Sequence, residues 1–417
     1  MSVCVCLWFI KLKIIPYSKQ SISEEDIDAV CSVLRSDWLT QGPKVKEFEE
    51  ALSKQCGAKH CIVVANGTVA LLLACMALEI GPGDNGLTSP ISFLASANCI
   101  AYCGGKVDFV DIDPDTLCLS PDNLEEYCKR HGAPKVVIPV DFAGIPADLP
   151  QFKKLADKYG FILIEDAAHS IGSTYTYDGQ EYSCGSCTHT DLAILSFHPV
   201  KTITTGEGGA ILTNDDELAQ RLRCLANHGI ERDASRFVNP HSESRIPHSD
   251  LPWYYEMHLL GYNGRITDIQ CALGLSQLKR IDGFKTKRQQ IVKKYNQSLK
   301  ELEKEHIVIL PPWPHGTDPC YHLYPLRLGP NAKIKRDELF MRLREKGIYC
   351  QVHYIPIYRQ PFYQNQYKYH VDQCPEAETY FASCISLPLF PDLDEGSFHF
   401  IIEKISSLIV RCIQKNA

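Results

Sequence analysis

Between residues 61 and 229, short unbroken apolar runs alternate with longer segments of helical length and periodicity. The apolar runs do not alternate with polar positions, which is typical of strands buried on both faces of a parallel sheet. One intervening segment has Ser120 or Asp122 as a cap, and another begins with acids and ends at Gly229, as helices do. The chain is therefore predicted to form an α/β fold whose mostly parallel sheet is flanked by helices. The predicted strands are CIVVAN, KVDFVDI, KVVIPVDFAG, FILIEDA, LAILSF and GGAILTN.

The C-terminal part of the chain has a different pattern. Residues 233–257 are polar, with prolines and aromatic residues among them, and predict a long loop. The segment ITDIQCALGLSQLKRID begins a predicted helix that continues in amphipathic form to about Glu305. Beyond it, YHLYPLRL predicts a strand, and KRDELFMRLREKG and SFHFIIEKISSLIVRCIQ predict helices. We expect an N-terminal extension over residues 1–15, a large domain over 16–275 and a smaller α+β domain over 276–417.

Composition narrows the class of protein. The 417 residues are 45% hydrophobic and 22% charged, which is ordinary for a soluble enzyme of two domains. The net charge of -7 argues against nucleic acid or an anionic membrane as the main partner. The apolar N-terminal run is too short for a transmembrane helix, and its lysines follow the run, unlike those of a signal peptide. We therefore expect a cytoplasmic protein without a membrane anchor.

The 19 cysteines are scattered, and many fall inside apolar runs, where a thiol behaves as a small buried hydrophobe. Such usage favours a disulfide-poor enzyme in a reducing compartment. The pair Cys184 and Cys187 has no second CxxC to complete a zinc site, so we interpret it as a surface turn and expect no metal. The stretch GPGDNG fits a dinucleotide-binding pattern by letter only. It follows a predicted helix instead of a strand, so we interpret it as a turn.

Polar residues cluster where the predicted strands end, which is where open α/β sheets bind ligands. An acid and a histidine follow one strand, a hydroxyl and a lysine follow another, and a Gly-Thr turn that opens a helix follows a third. These residues are Asp166 and His169, Ser196 and Lys201, and Gly67 and Thr68. Taken alone, each has an ordinary structural explanation: a turn cap, a buried hydroxyl, a solvated cation or a tight turn. Together they match the needs of one cofactor.

That cofactor is pyridoxal 5′-phosphate (PLP). It requires a lysine amine to hold its aldehyde as a Schiff base, and a carboxylate to keep its pyridine nitrogen protonated. Its phosphate suits the N–H groups of a helix start together with hydroxyls. An aromatic side chain usually stacks on the ring, and Phe93 is the candidate. A core phenylalanine fits the local sequence of Phe93 equally well.

Seven motifs carry a resemblance to a known family. In order they are NGTVAL, GPGD, TSPISFLASAN, FILIEDAAHSIGS, SFHPVKTITTGEGGA, GYNGRITDIQCALGLSQL and QVHYIPIY. From about Ile15 to the C-terminus, the chain resembles the PLP-dependent sugar aminotransferases of the DegT/DnrJ/EryC1/StrS family. The resemblance implies fold type I of the PLP-dependent transferases, and a homodimer whose subunits share active sites.

The resemblance also implies roles for individual residues. It implies that Lys201 binds PLP covalently, that Asp166 pairs with the pyridine nitrogen, and that His169 lies near the ring. It implies a phosphate site formed by Gly67, Thr68, Ser196 and, from the other subunit, Asn263. Contacts with a nucleotide sugar are implied for Tyr17, Asp37, Trp38, Leu39, Thr40, Gln351, Val352, His353 and Tyr354. Ordinary structure, namely a loop, a helix end or a strand, is the alternative for Asn263 and for these segments.

Within the family, the motifs resemble most the transaminases of the pseudaminic acid pathway. That resemblance implies transfer of an amino group from L-glutamate to C4 of a UDP-linked 4-keto-6-deoxy-N-acetylhexosamine. The product would be UDP-4-amino-4,6-dideoxy-N-acetyl-β-L-altrosamine. A C3 aminotransferase, an enzyme for a dTDP or GDP sugar, and a non-catalytic PLP- or sugar-binding regulator are the alternatives. A sugar dehydratase is disfavoured, because the dehydratases of the family carry histidine at the Lys201 position.

One motif departs from the family pattern. After GPGD, relatives usually have an acid and two β-branched residues, where this chain has Asn85, Gly86 and Leu87. Asparagine and glycine are disfavoured in strands. We therefore expect a weakened strand at this point, without an effect on catalysis.

Overall fold

The computed structural model of the protein describes residues 14–239 and 247–414, with side chains up to residue 409. The predictions for the first thirteen residues lie outside the described residues. The helices are α1 (Glu24–Leu34), α2 (Pro43–Cys56), α3 (Gly67–Ala77), α4 (Ala95–Tyr102), α5 (Pro121–His131), α6 (Leu149–Tyr159), α7 (Asp216–Ala226), α8 (Asp268–Leu278), α9 (Ile281–Lys304), α10 (Arg336–Glu345), α11 (Pro361–Tyr367), α12 (Pro375–Ser383) and α13 (Glu395–Gln414). The strands are β1 (His60–Val64), β2 (Asn85–Thr88), β3 (Lys106–Phe109), β4 (Val136–Ile138), β5 (Ile162–Asp166), β6 (Thr174–Tyr177), β7 (Gln180–Ser183), β8 (Leu192–Ser196), β9 (Gly209–Thr213), β10 (Ile230–Glu231), β11 (Glu256–Met257), β12 (Val308–Ile309), β13 (Thr317–Asp318), β14 (Tyr324–Leu328) and β15 (Cys384–Leu387). Within the described ranges, no helix combines the length and apolarity that a bilayer crossing requires.

A seven-stranded sheet forms the centre of the larger part of the chain, in the order β1-β9-β8-β5-β4-β2-β3. Strands β8, β5, β4, β2 and β3 pair in parallel, and β9 is antiparallel to both of its neighbours. The apolar runs are buried as predicted, because helices such as α2, α3 and α7 pack on the sheet. The predicted α/β fold with a mostly parallel sheet is confirmed. The carboxyl ends of β5 and β8 lie side by side in this sheet.

The helix starts follow local capping signals. The side chain of Ser120 accepts the N–H of Asn123 at the start of α5, so Ser120 is the cap and Asp122 is not. Asp215 caps α7 in the same way, and Asn66 accepts the N–H of Val69 at the start of α3. A side-chain cap of this kind typically contributes about 1 kcal/mol to stability. These helices therefore begin where the sequence places them.

The C-terminal part contains a three-stranded antiparallel sheet, β12-β14-β15, in contact with α9, α10 and α12. The strand predicted in YHLYPLRL is β14, and the last predicted helix is α13. This arrangement of helices on an antiparallel sheet is the predicted α+β architecture. A continuous cluster of buried apolar side chains runs from β1 through to α13. The division at residue 275 stays a prediction.

The prediction of one unbroken helix to about Glu305 is wrong, because this segment forms two helices, α8 and α9. The two helices meet at Lys279 and Arg280, where Arg280 leaves the helical conformation. At this break, Gln277 and Arg280 both donate to the carboxylate of Asp26, which is fully buried. A buried carboxylate requires such partners, so a contact with distant α1 accompanies the break.

Strand β2 forms in full and pairs with both β3 and β4, so the expected weakening at Asn85 and Gly86 is not seen in its pairing. A Cβ at Gly86 would lie 2.7 Å from the Cδ1 of Ile100 and 2.8 Å from the Cγ1 of Val136. Glycine therefore lets α4 pack close to the sheet here. The preceding GPGD is a turn as predicted, in which the N–H of Gly81 donates to the Asp84 carboxylate at 2.9 Å.

Cys184 and Cys187 are 1% and 6% exposed, so the interpretation of this pair as a surface turn is wrong. The turn is buried against β5, where the N–H of Gly185 donates to both carboxylate oxygens of Glu165. The side chains of Asp141, Glu165 and Cys184 lie close enough together to reach one metal ion. Burial raises the pKa of both thiols, and a thiol that keeps its proton is a poor metal ligand.

We predict that Gly86→Ala lowers the free energy of unfolding by about 1–3 kcal/mol, because the new Cβ would overlap Ile100 and Val136 in a close-packed core. Denaturant unfolding of the full chain measures this change. Gly81→Ala is the matched control, because a Cβ there meets nothing within 4 Å. Equal stability of the two variants would contradict the close packing of α4 on β2.

Candidate cofactor and substrate site

The strand ends of the main sheet open into a cavity of about 720 Å³. Its wall includes the ends of β5 and β8, the start of α3 and the segment between β2 and α4. The volume is typical of a site for a small organic ligand. The predicted site residues that line it are Tyr17, Gly67, Thr68, Phe93, Asp166, His169, Ser196, Lys201, His353 and Tyr354.

Lys201 lies in the loop between β8 and β9, and its side chain lines the cavity. The loop is held by hydrogen bonds from the Lys201 N–H to the His198 carbonyl at 2.9 Å and from the Thr204 hydroxyl to the Phe197 carbonyl at 2.9 Å. Removal of water by burial lowers the pKa of the amine to about 8, against the opposing effect of the Asp166 carboxylate. Near pH 8 a large fraction of the amine is therefore neutral, as a nucleophile or base must be.

Asp166 ends β5 and is 4% exposed. Its Oδ2 accepts the hydroxyl of Ser96 at 2.6 Å, and its Oδ1 accepts the N–H of Ala168 at 3.2 Å. Burial raises the pKa of this carboxyl, while the two hydrogen bonds and the charge of Lys201 act in the opposite direction. The cavity thus brings a carboxyl group and an amine together beyond the ends of two adjacent strands.

Three buried histidines, His169, His322 and His353, lie near Lys201. The rings of His169 and His322 have centroids 4.4 Å apart, and the Nε2 of His169 lies 3.3 Å from the hydroxyl of Tyr354. Burial lowers the pKa of all three, that of His353 to about 3, and the charge of Lys201 adds to the effect. The three rings are therefore neutral at ordinary pH and do not repel the lysine.

The start of α3 lines the cavity next to the end of β8. A helix start leaves N–H groups without partners inside the helix, and here Asn66 accepts the N–H of Val69, beyond Gly67 and Thr68. A Cβ at Gly67 would lie 2.9 Å from the Cβ of Ser196, so the helix start and the end of β8 are in close contact. The combination of helix N–H groups and hydroxyls suits a phosphate.

Aromatic side chains form part of the cavity wall. Phe93 is 57% exposed, so the alternative of a core phenylalanine is wrong. Its ring centroid lies 6.4 Å from that of Tyr354, and the ring of Tyr17 lies 5.3 Å from that of His353. These rings offer flat apolar faces to a ligand.

The remaining predicted site residues lie elsewhere in the described chain. Thr40 pairs with Thr267, Gln351 with Ser386 and Asn263 with Asn227, outside the cavity lining. Trp38 and Leu39 are exposed by 56% and 48%, at a turn that follows α1. The full set not lining the cavity is Asp37, Trp38, Leu39, Thr40, Asn263, Gln351 and Val352.

Sequence reasoning missed Ser92, Ser96, His322 and Cys320. Ser92 and Ser96 flank Phe93 in TSPISFLASAN, and their closeness to this predicted ring contact was the available signal. The Sγ of Cys320 lies 3.1 Å from the carbonyl of His169, across 151 positions of sequence. No local pattern predicts a contact of that kind.

The arrangement fits PLP. It combines a lysine amine, a buried carboxylate and a helix start, the groups that the aldehyde, the pyridine nitrogen and the phosphate require. The backbone also makes room for a close approach, because a Cβ at Gly209 would lie 2.5 Å from the carbonyl carbon of Asn66. The fit rests on residues from three strand ends that the fold brings to one edge of the sheet.

Comparison with known proteins agrees with this fit. The profile of the DegT/DnrJ/EryC1/StrS aminotransferase family matches residues 20–406. The spore coat polysaccharide biosynthesis protein SpsC of Bacillus subtilis is 35% identical over 398 residues, which cover 95% of this chain and 97% of SpsC.

Solved structures are similar over nearly the whole chain. PseC of Helicobacter pylori, an aminotransferase of pseudaminic acid biosynthesis, has a TM-score of 0.82 at 29% identity, covering 96% of this chain and 100% of PseC. The putative sugar aminotransferase Spr1654 of Streptococcus pneumoniae in its PLP form has a TM-score of 0.82 at 28% identity, covering 96% of this chain and 99% of Spr1654. Spr1654 is also known in a pyridoxamine phosphate (PMP) form.

We predict that the amine of Lys201 titrates near pH 8 in the apoprotein. The lowered pKa means that the neutral, reactive amine accumulates as the pH rises through that value. Pulsed labelling with an amine-specific reagent between pH 6 and 11, followed by peptide mass spectrometry, measures the midpoint. Peptides carrying exposed lysines such as Lys46 report the pH dependence of the reagent itself. A Lys201 midpoint above pH 10 would contradict the effect of burial.

Proposed function

Because the chain belongs to the DegT/DnrJ/EryC1/StrS aminotransferase family, we propose that it moves an amino group from L-glutamate to C4 of a UDP-linked 4-keto-6-deoxy-N-acetylhexosamine. PLP-dependent transfer of an amino group to a sugar is the activity of this family, and PLP is the cofactor. The proposed product is UDP-4-amino-4,6-dideoxy-N-acetyl-β-L-altrosamine, for pseudaminic acid biosynthesis. The observation that carries the proposal is the meeting of Lys201, Asp166 and the start of α3 in one cavity.

The proposed roles follow from the chemistry of each group. Lys201 would hold the aldehyde of PLP, Asp166 the pyridine nitrogen, and the phosphate would be held by Gly67, Thr68, Ser196 and the partner subunit's Asn263. His169 and Phe93 would lie against the ring. When bound, PLP supplies an electrophilic carbon and a ring that accepts electrons from the substrate.

The protein's own part is proton transfer. With its pKa lowered to about 8, the neutral Nζ of Lys201 can take a proton from the α-carbon of the donor and return one to the acceptor. The neutral His169, His322 and His353 lie near this amine without adding positive charge. A lysine that must both accept and release a proton near neutral pH needs this environment.

The sugar part of the proposal has specific support. PseC, of similar structure over 96% of the chain, is named for pseudaminic acid biosynthesis. Tyr17, His353 and Tyr354 line the cavity at positions where the resemblance implies sugar contacts. The segments Asp37–Thr40 and Gln351–Val352 would complete the nucleotide site, in a homodimer in the cytoplasm.

A second candidate is amino transfer to a different nucleotide sugar, at C3 or on a dTDP or GDP carrier. SpsC, at 35% identity, is named for spore coat polysaccharide biosynthesis, which is another product class. A sugar dehydratase is disfavoured because Lys201 stands where the dehydratases carry histidine. A non-catalytic regulator would not need a lysine with a lowered pKa.

We predict that Lys201→Ala abolishes amino transfer, by at least about a thousandfold, because it removes both the covalent anchor and the base. Wild-type protein should show a yellow PLP absorbance band that L-glutamate bleaches, and Lys201→Ala should not show the bleaching. Circular dichroism of the variant controls for folding. Full glutamate turnover by Lys201→Ala would overturn the role of this residue.

A panel of keto sugars tests the substrate. With the PMP form of the enzyme, the UDP-linked 4-keto sugar should restore the yellow band at least about tenfold faster than the matching dTDP sugar. The reason is that contacts with the carrier nucleotide contribute differential binding. A preference for a dTDP or GDP sugar would replace the proposed substrate while keeping the aminotransferase.

A further inference from the structure

Three buried side chains form a chain of hydrogen bonds at one wall of the cavity. The hydroxyls of Ser92 and Ser96 lie 2.7 Å apart, and the hydroxyl of Ser96 lies 2.6 Å from the Oδ2 of Asp166. Ser92 is 3% exposed, Ser96 is 1% exposed, and both line the cavity. Neither serine belongs to the set of residues assigned to PLP or the sugar above.

The chemistry of the groups fixes the direction of this chain. An ionised carboxylate only accepts hydrogen bonds, so the Ser96 hydroxyl must give its single hydrogen to Asp166. Ser96 can then only accept from Ser92, and the bonds run from Ser92 to Ser96 to Asp166. A hydroxyl that accepts one hydrogen bond becomes polarised, and the bond that it donates is strengthened, particularly away from water.

This chain of hydrogen bonds lowers the pKa of Asp166, whereas burial, the largest effect on that carboxyl, raises it. Burial favours the protonated carboxyl, and a protonated carboxyl has no charge with which to form an ion pair with a protonated pyridine nitrogen. Only two hydrogen bonds to the carboxylate oxygens are present among the described residues, from Ser96 and from the N–H of Ala168. The other titratable groups that face Asp166 are Lys201, from the loop after β8, and Tyr354. Asp141 contacts Asp166 only through its backbone N–H.

We propose that Ser92 and Ser96 are positioning residues that keep Asp166 ionised and directed toward the cofactor ring. This inference rests on the proposed role of Asp166. The two serines lie one residue before and three residues after Phe93, so one short segment carries both the ring-facing aromatic side chain and the hydroxyl chain. The same segment thereby links the position of the Phe93 ring to that of the Asp166 carboxylate.

The test uses PMP as the probe, because it lacks the aldehyde and so reports recognition of the ring without the bond to Lys201. The dissociation constant of PMP is measured by titration of the full-length apoprotein from pH 6 to pH 8.5. The ratio of the variant constant to the wild-type constant cancels the titration of PMP itself. We expect Ser96→Ala to bind PMP about tenfold more weakly at pH 8, since it loses one charge-assisted hydrogen bond.

The pH dependence separates a positioning role from a structural one. Loss of the donor raises the pKa of Asp166, so the ratio for Ser96→Ala should grow as the pH falls from 8.5 to 6. Ser92→Ala should show a smaller ratio of the same pH dependence. Ser96→Thr, which keeps the hydroxyl, should restore PMP binding to within about threefold of wild type.

Ser89→Ala is the matched control, because Ser89 is equally buried in the same segment but bonds only to Ile91. Its ratio should stay near one at every pH. If Ser96→Ala does not fold, Ser92→Ala carries the same test. A ratio near one for Ser96→Ala, or a loss of affinity that is independent of pH, would overturn the proposal while leaving the aminotransferase intact. Failure of the wild-type protein to bind PMP would overturn both.

Discussion

The structure depends on one constraint, which is that a buried carboxyl group and a lysine amine are held together in one cavity. Asp166 and Lys201 follow the ends of β5 and β8, which are parallel neighbours in the sheet. Burial alone would neutralise both groups, raising the pKa of the acid and lowering that of the amine. Their mutual attraction and the hydrogen bonds to Asp166 limit this effect. The result is a site in which protonation states are set by small differences.

The residues around Asp166 and Lys201 also affect the protonation states of these two groups. The three histidines beside Lys201 are too buried to be charged, so they fill the space without competing with the amine. Glycines at the start of α3 and of β9 allow backbone segments to approach closely where a phosphate would be held. This agrees with what an aminotransferase of this family requires. PLP supplies the electronic chemistry, and the protein sets the protonation states and positions of the groups around it.

Much of this could be predicted from the sequence, for physical reasons. Unbroken apolar runs predict a parallel sheet, and the carboxyl ends of parallel strands meet at one edge, so Asp166 and Lys201 were expected to meet. The bond between Ser96 and Asp166 spans 70 positions, and the break between α8 and α9 accompanies a contact with Asp26 that spans 254 positions. Such contacts depend on tertiary packing, which no local pattern contains. The burial of Cys184 was missed for the same reason, since its neighbour Glu165 lies on another element.

We expect Lys201, and no other lysine, to carry the cofactor. Reductive trapping tests it most directly: the PLP-loaded protein is treated with borohydride, digested, and its peptides are mapped by mass spectrometry. The expected result is one added phosphopyridoxyl group, located on Lys201. Addition to a different lysine, or no addition to a protein that is visibly loaded with PLP, would contradict it.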